Sequence, residues 1–170
     1  MILFRLTQKM DYFSAFLFVT TGFTLSIIKL LDELSLFSQS KYVQPSLLLL
    51  ILSFCFNHAS YLLFHKIDYQ YNMKVNVALG IASTAFWIVW CFNRFRKYKC
   101  RYLLKCILSL LLMNLFLGLE IFDFPPILYI FDAHSLWHLG TVFLHPIYYS
   151  FLLDEFKFRC SNLRNYKKVQ

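Results

Sequence analysis

Charge is missing from long stretches of this sequence, and that absence excludes a soluble globular domain. Of its 170 residues, 59% are hydrophobic and 20% are aromatic, whereas a soluble domain is about 45–50% apolar. No Lys, Arg, Asp or Glu occurs between Lys41 and Lys66, or between Asp132 and Asp154. Apolar stretches of this length are typical of helices that cross a bilayer. We therefore expect a membrane protein.

Paired cysteines are also missing. The five cysteines are odd in number, form no CxxC motif, and lie in or beside apolar segments. This pattern argues against a disulfide framework and against a cysteine-based zinc site. The residues before the first apolar run are few and mixed in character, and no clean small-residue cleavage motif follows that run. We therefore expect no cleavable signal peptide.

Five segments approach the length of about 20 apolar residues that a spanning helix needs. They cover about residues 12–31, 43–64, 75–92, 102–121 and 134–153, and a basic tail follows at 154–170. Lys105 and Glu120 lie inside the fourth segment, so they must reach the membrane surface or pair. Pro146 predicts a kink in the fifth. The prediction is an all-α, multi-pass membrane helical bundle, with residues 1–170 forming a single transmembrane domain.

Basic residues are concentrated after the third and after the fifth segment. They are Arg94, Arg96, Lys97, Lys99 and Arg101, followed by Lys157, Arg159, Arg164, Lys167 and Lys168. Loops rich in Lys and Arg remain on the cytosolic side, so both clusters are expected there. With five spans, the amino-terminal end and the loops at 65–74 and 123–132 then face the lumen. Since the net charge of +8 comes from loops beside apolar segments, we expect no nucleic-acid partner.

The candidate site combines two histidines with one carboxylate at the lumenal end. His134 and His138 are four residues apart, a spacing that places both imidazoles on one helix face, within reach of one metal ion. Alternatively, they are interfacial histidines that hydrogen-bond headgroups or neighbouring helices, because HxxxH is short and common. Asp11 either caps the first helix or interacts with its positive end, or it belongs to the same site as the two histidines. Polar groups at membrane depth are costly, which favours function.

Four groups of residues resemble the Per1-like family of post-GPI-attachment factors. They are LTQKMDYF at 6–13, HASYL at 58–62, DYQYN at 68–72, and EIFDFPP at 120–126 with DAH at 132–134 and WH at 137–138. This family belongs to the CREST superfamily of membrane hydrolases, together with the alkaline ceramidases and the adiponectin-receptor-like proteins. The similar segments follow the family's order over nearly the whole chain.

The resemblance implies GPI-anchor lipid remodelling by a metal-dependent phospholipase that removes the sn-2 acyl chain of GPI-anchored proteins. It implies that His134 and His138 bind the metal, expected to be zinc, and that Asp11 positions or deprotonates the attacking water. Glu120 and Asp123 are candidates for accepting the histidine ring N–H groups, or else are interfacial charges bracketing a lumenal loop. The expected partners are the GPI-anchor lipid and membrane lipids. The expected location is the Golgi membrane or the endoplasmic reticulum, with a lumenal site and a cytosolic carboxyl terminus.

The sequence departs from the family at its amino-terminal end. The family carries a histidine shortly before its aspartate and a serine before that histidine, and both would precede Met1 here. We therefore expect a partial chain, corresponding to the last five of seven helices, that is inactive by itself. Two alternatives remain: a catalytically inactive pseudoenzyme or adaptor, and a ceramidase-like or receptor-like CREST relative. The EIFDFPP and DYQYN segments favour the GPI branch over the second alternative.

Overall fold

The computed structural model describes residues 2–64, 68–122, 124–127 and 130–169, apart from the side chains of residues 2–6, 8, 38, 39, 120, 163 and 165–169. Its helices are α1 (Ile2–Glu33), α2 (Leu36–Gln39), α3 (Val43–Phe64), α4 (Tyr69–Tyr98), α5 (Leu103–Phe122) and α6 (Ala133–Val169). The described residues form no strand, and their only bridge pairs Ile127 with Phe131. The predicted all-α class is therefore confirmed.

Three helical segments are long and apolar enough to cross a membrane: Lys9–Glu33 within α1, the whole of α3, and the whole of α4. The apolar part of α5, Leu103–Leu119, is shorter. A helix covers each of the five predicted segments, but a count of five spans stays a prediction. Large apolar side chains such as Leu49, Phe56 and Leu111 are exposed, as expected of surfaces that face lipid.

Two helices extend well beyond the segments predicted from hydropathy. α4 begins at Tyr69 and ends at Tyr98, whereas its predicted apolar segment covers only 75–92. α6 passes through Pro146 and continues to Val169, so the predicted basic tail is helical. Hydropathy marks only the apolar part of a helix, whereas Lys, Arg, Gln and Glu are also good helix formers. A kink at Pro146 stays a prediction.

The chain divides into two compact units, and the first comprises residues 1–93. The polar side chain of His58 on α3 is buried in this unit and is only 2% exposed. The His58 ring stacks on Phe16 of α1 with 4.1 Å between ring centroids. Its Nε2 lies 3.0 Å from Oδ1 of Asn72 on α4. The interpretation of His58 as a hydrogen-bonded packing residue is confirmed, and these contacts join α1, α3 and α4.

The second unit comprises residues 94–170, in which α5 packs closely on α6. A Cβ added to Gly140 would lie 2.5 Å from the Phe116 ring, so a larger side chain there would force that ring or the helix backbone to shift. Lys105 donates to Oδ2 of Asp154 at 2.6 Å and to Oγ of Ser150 at 2.8 Å. This confirms that a charge within the fourth predicted segment finds a partner.

Candidate metal centre

The loop before α6 fixes where the paired histidines begin. Pro125 and Pro126 cannot donate the backbone hydrogen bonds that would continue α5. The backbone N–H of Ile127 donates to the Phe131 carbonyl at 2.8 Å, and the N–H of Phe131 donates back at 3.1 Å. This reciprocal pair lies immediately before Asp132. The chain can therefore enter α6 at Ala133.

Asp132 caps the first turn of α6. The backbone N–H of Ser135 donates to Oδ1 of Asp132 at 2.7 Å, and the Ser135 hydroxyl donates to its carbonyl oxygen at 3.0 Å. Hydrogen bonds from Ser135 hold the pKa of the Asp132 carboxyl below its ordinary value. Sequence reasoning missed this role, although an aspartate just before a helix is a recognised cap signal. The cap fixes the turn that carries His134.

The two histidines of the HxxxH motif lie together on the exposed surface of α6. Nε2 of His134 is 3.1 Å from Nε2 of His138, and the ring planes are nearly perpendicular, at 89°. Nitrogen ligands bound to tetrahedral zinc at about 2.0–2.1 Å lie about 3.3 Å apart. The observed separation therefore suits a shared metal ion. It equally suits a hydrogen bond in which one ring N–H donates to the other ring. Metal binding and the alternative of hydrogen bonds to headgroups or neighbouring helices both stay predictions.

Asp11 belongs to the first unit, where it lies half-buried on α1. α1 begins at Ile2 and has no acidic residue in its first turn, so Asp11 is too far along the helix to act on its positive end. The neighbouring Tyr12 is buried, with its ring centroid 5.9 Å from that of Tyr69. This packing fixes the face of α1 next to Asp11. The predicted approach of Asp11 to the histidines stays a prediction.

Two further candidates cannot be placed. Asp123 lies outside the described residues, and so does the side chain of Glu120, so their predicted roles toward the histidine rings stay predictions.

His145 is described, and its Nδ1 lies 2.5 Å from the carbonyl oxygen of Thr141 in its own helix. An imidazole that donates to its own backbone is a packing residue, as expected from the sequence.

This chain is similar to known proteins of the Per1-like family. The Per1-like family profile matches residues 2–156. "GPI-specific phospholipase A2-like PGAP3" of Xenopus tropicalis is 38% identical over 150 residues, which cover 88% of this chain and 45% of that protein. The protein of the same name from Homo sapiens is 34% identical with the same coverage.

A third similar protein is "Post-GPI attachment to proteins factor 3" of Drosophila melanogaster, 38% identical over 147 residues, or 86% of this chain and 43% of that protein. The chain thus spans less than half the length of these curated relatives. No solved structure matches it. On the profile match and these identities, the chain belongs to the Per1-like family.

Proposed function

We propose that this chain carries part of the active site of a GPI-anchor lipid-remodelling hydrolase, with a divalent metal held by His134 and His138. The observation that carries the proposal is the 3.1 Å separation of the two Nε2 atoms, in a chain of the Per1-like family. Relatives in that family are named GPI-specific phospholipase A2-like. The reaction proposed is hydrolysis of the sn-2 ester of the lipid of a GPI-anchored protein.

The donor set favours zinc among common divalent ions. Neutral imidazole nitrogen is a preferred zinc ligand, and catalytic zinc sites combine histidines with a carboxylate or a further histidine while leaving one position open. Such an ion, when bound, supplies Lewis acidity toward the ester carbonyl and lowers the pKa of water. The exposed positions of His134 and His138 suit a site that a lipid headgroup must reach.

Each residue then has a distinct role. His134 and His138 hold the ion, while Asp132 holds the first turn of α6 in place through its bonds to Ser135. Asp11 accepts the proton of the attacking water as general base. The water oxygen bonds to the carbonyl carbon, the ester C–O bond breaks, and the departing glycerol oxygen takes the proton back. The products are a free fatty acid and a lyso-form of the anchor.

The proposed orientation rests on the charge pattern, whereas the proposed location, the Golgi membrane, rests on membership of the Per1-like family. The basic segments around Arg96 and Lys157 are proposed to face the cytosol, so that the histidine end of α6 lies at the lumenal surface. Exposed apolar side chains such as Leu139, Val142 and Phe143 on α6 offer the acyl chain a lateral route toward the histidines.

The test is the acyl composition of GPI anchors on cells of the source species. Cells lacking this gene are complemented with the wild-type gene, with His134→Ala, or with the matched control His145→Ala. Mass spectrometry of surface GPI anchors should show the original sn-2 chain retained after deletion and after complementation with His134→Ala. Wild type and His145→Ala should restore its removal. Unchanged anchors after deletion would refute the proposal, and full rescue by His134→Ala would indicate a non-catalytic adaptor.

A further inference from the structure

The second unit collects exposed positive charge from two distant parts of the sequence. One group lies at the end of α4 and in the turn to α5, and the other lies on the final part of α6. The exposed members are Arg96, Lys97, Lys99, Arg101, Lys157 and Arg164, here called the basic rim. Isolated surface lysines would need no explanation. These two groups of cations do need an explanation, because the fold holds them together.

A buried carboxylate ties the two groups to each other. Glu155 on α6 is 1% exposed. Its Oε1 accepts from Nη2 of Arg94 at 3.1 Å and from Nε of Arg159 at 2.6 Å. Its Oε2 accepts from the Tyr102 hydroxyl at 2.6 Å. Charge-assisted hydrogen bonds in a buried site are strong and directional, so the end of α4, the start of α5 and α6 keep a fixed arrangement.

Aromatic stacking reinforces this arrangement. The Phe158 ring centroid lies 5.2 Å from that of Tyr98 and 5.8 Å from that of Tyr102. The Arg94 guanidinium carbon lies 4.8 Å from the Tyr98 ring centroid and 5.2 Å from that of Phe158. Cation–π contacts of this kind add to the ion pairs. The rim residues next to this cluster are therefore carried by packed and hydrogen-bonded parts of the fold.

The acidic side chains near the rim are occupied by contacts within the unit. Glu155 is bonded to Arg94 and Arg159, and Asp154 is bonded to Lys105 at 2.6 Å. The exposed members of the rim are all cations. An exposed surface of one charge sign attracts ligands of the opposite sign.

Large apolar side chains are exposed alongside these cations. Phe95 is 53% exposed beside Arg96, and Phe156 is 65% exposed beside Lys157. Next to water such rings would be unfavourable, but at the boundary of a bilayer they enter the acyl region while neighbouring cations remain among the headgroups. This interleaving is typical of a membrane surface, and it favours a lipid over a soluble anion as the ligand.

We propose that the basic rim is a binding site for phosphate-bearing anionic lipid headgroups of the leaflet it contacts. Guanidinium and ammonium groups match phosphate oxygens in charge and hydrogen-bonding geometry. Each Lys or Arg near an anionic membrane surface adds about 1 kcal/mol of attraction. The site involves none of the residues assigned to hydrolysis, so it stands independently of the proposed function.

The test compares lipid retention by two double variants of the full chain with equal loss of charge. Purified protein in mild detergent is offered equal amounts of phosphatidylserine, phosphatidylinositol and phosphatidylcholine, and bound lipids are counted by native mass spectrometry. Wild type should retain the two anionic lipids over phosphatidylcholine. Lys97→Gln with Lys157→Gln should reduce that preference by about fivefold per charge removed. The control, Lys41→Gln with Lys74→Gln, removes two exposed lysines outside the rim and should keep it.

A second measurement needs no mutation. Raising the salt from about 50 to 500 mM should weaken retention of the anionic lipids by wild type, because the interaction is screened. Equal retention of all three lipids by wild type, or an equal loss in the two double variants, would overturn the proposal. So would full displacement by the water-soluble headgroup glycerophosphoserine at a matched concentration, or a preference for an acidic peptide over the lipids.

Discussion

Replacing Glu155 by glutamine should destabilise the second unit far more than replacing its neighbour Asp154 by asparagine. The Glu155 side chain is 1% exposed and that of Arg94 is 8% exposed. Removing one partner of a buried ion pair costs about 3–5 kcal/mol, because the other charge remains buried without its counterion. Glutamine can still accept a hydrogen bond, so we expect about 3 kcal/mol, at the lower end of that range.

Asp154 is the matched control because it also bonds to a cation but is more exposed. In the Lys105–Asp154 pair, 42% of the lysine side chain and 30% of the aspartate side chain are exposed. A partly exposed pair contributes little to stability, because water and salt screen it. Asp154→Asn should therefore leave the second unit nearly as stable as wild type, although the two substitutions are chemically alike and adjacent in sequence.

Cys106 provides the assay, since it is 0% exposed in the second unit. In a chain whose other cysteines are replaced by alanine, a thiol-reactive dye labels Cys106 only as the unit opens on heating. For a unit of this size, about 3 kcal/mol should lower the labelling midpoint by about 10 °C or more. Equal midpoints for Glu155→Gln and Asp154→Asn would refute the reasoning that the buried carboxylate holds the unit together.

Three further predictions concern packing and capping. Gly140→Ala should destabilise the contact of α5 with α6 by about 1–3 kcal/mol in thermal melts, whereas Gly118→Ala, where a Cβ meets nothing within 4 Å, should not. His58→Phe keeps the ring stack but leaves Asn72 buried without this partner, which should cost about 1–3 kcal/mol; an unchanged melting midpoint would contradict this. Because the pKa of Asp132 is lowered by folding, its contribution is present above its unfolded pKa and is lost as pH falls through its folded pKa. Asp132→Asn should therefore make the free energy of unfolding depend less on pH in the acidic range. An unchanged pH dependence would count against this cap.

The sequence was sufficient to locate the five long helices, because their apolar stretches are long and carry few charges. The four-residue helix α2 was not predicted. The sequence also located the paired histidines, since the HxxxH spacing acts through a single helix and needs no tertiary contact. It underestimated α4 and α6, because their polar ends carry good helix formers but no hydropathy signal. Local rules therefore explain most of the fold and the geometry of His134 with His138.

The buried cluster around Glu155 was not predictable in the same way. Its partners Arg94 and Tyr102 lie 61 and 53 residues away in sequence, and in the sequence Glu155 looks like one charge in a basic tail. Only the packing of α6 against the end of α4 and the start of α5 shows that this charge is buried. Lys105 is an intermediate case, because its need for a partner was predictable and the identity of Asp154 was not.

Metal binding by the purified full chain tests the central claim most directly. After removal of bound metal, titration with cobalt, which takes the same ligands as zinc and absorbs visible light, should show one site per chain. His134→Ala should weaken that site by at least about 100-fold, since even losing a residue that only orients a ligand weakens binding by about 10–100-fold. His145→Ala should leave it unchanged. A wild-type chain that binds no cobalt, or a His134→Ala chain that binds it equally tightly, would contradict the proposed metal centre.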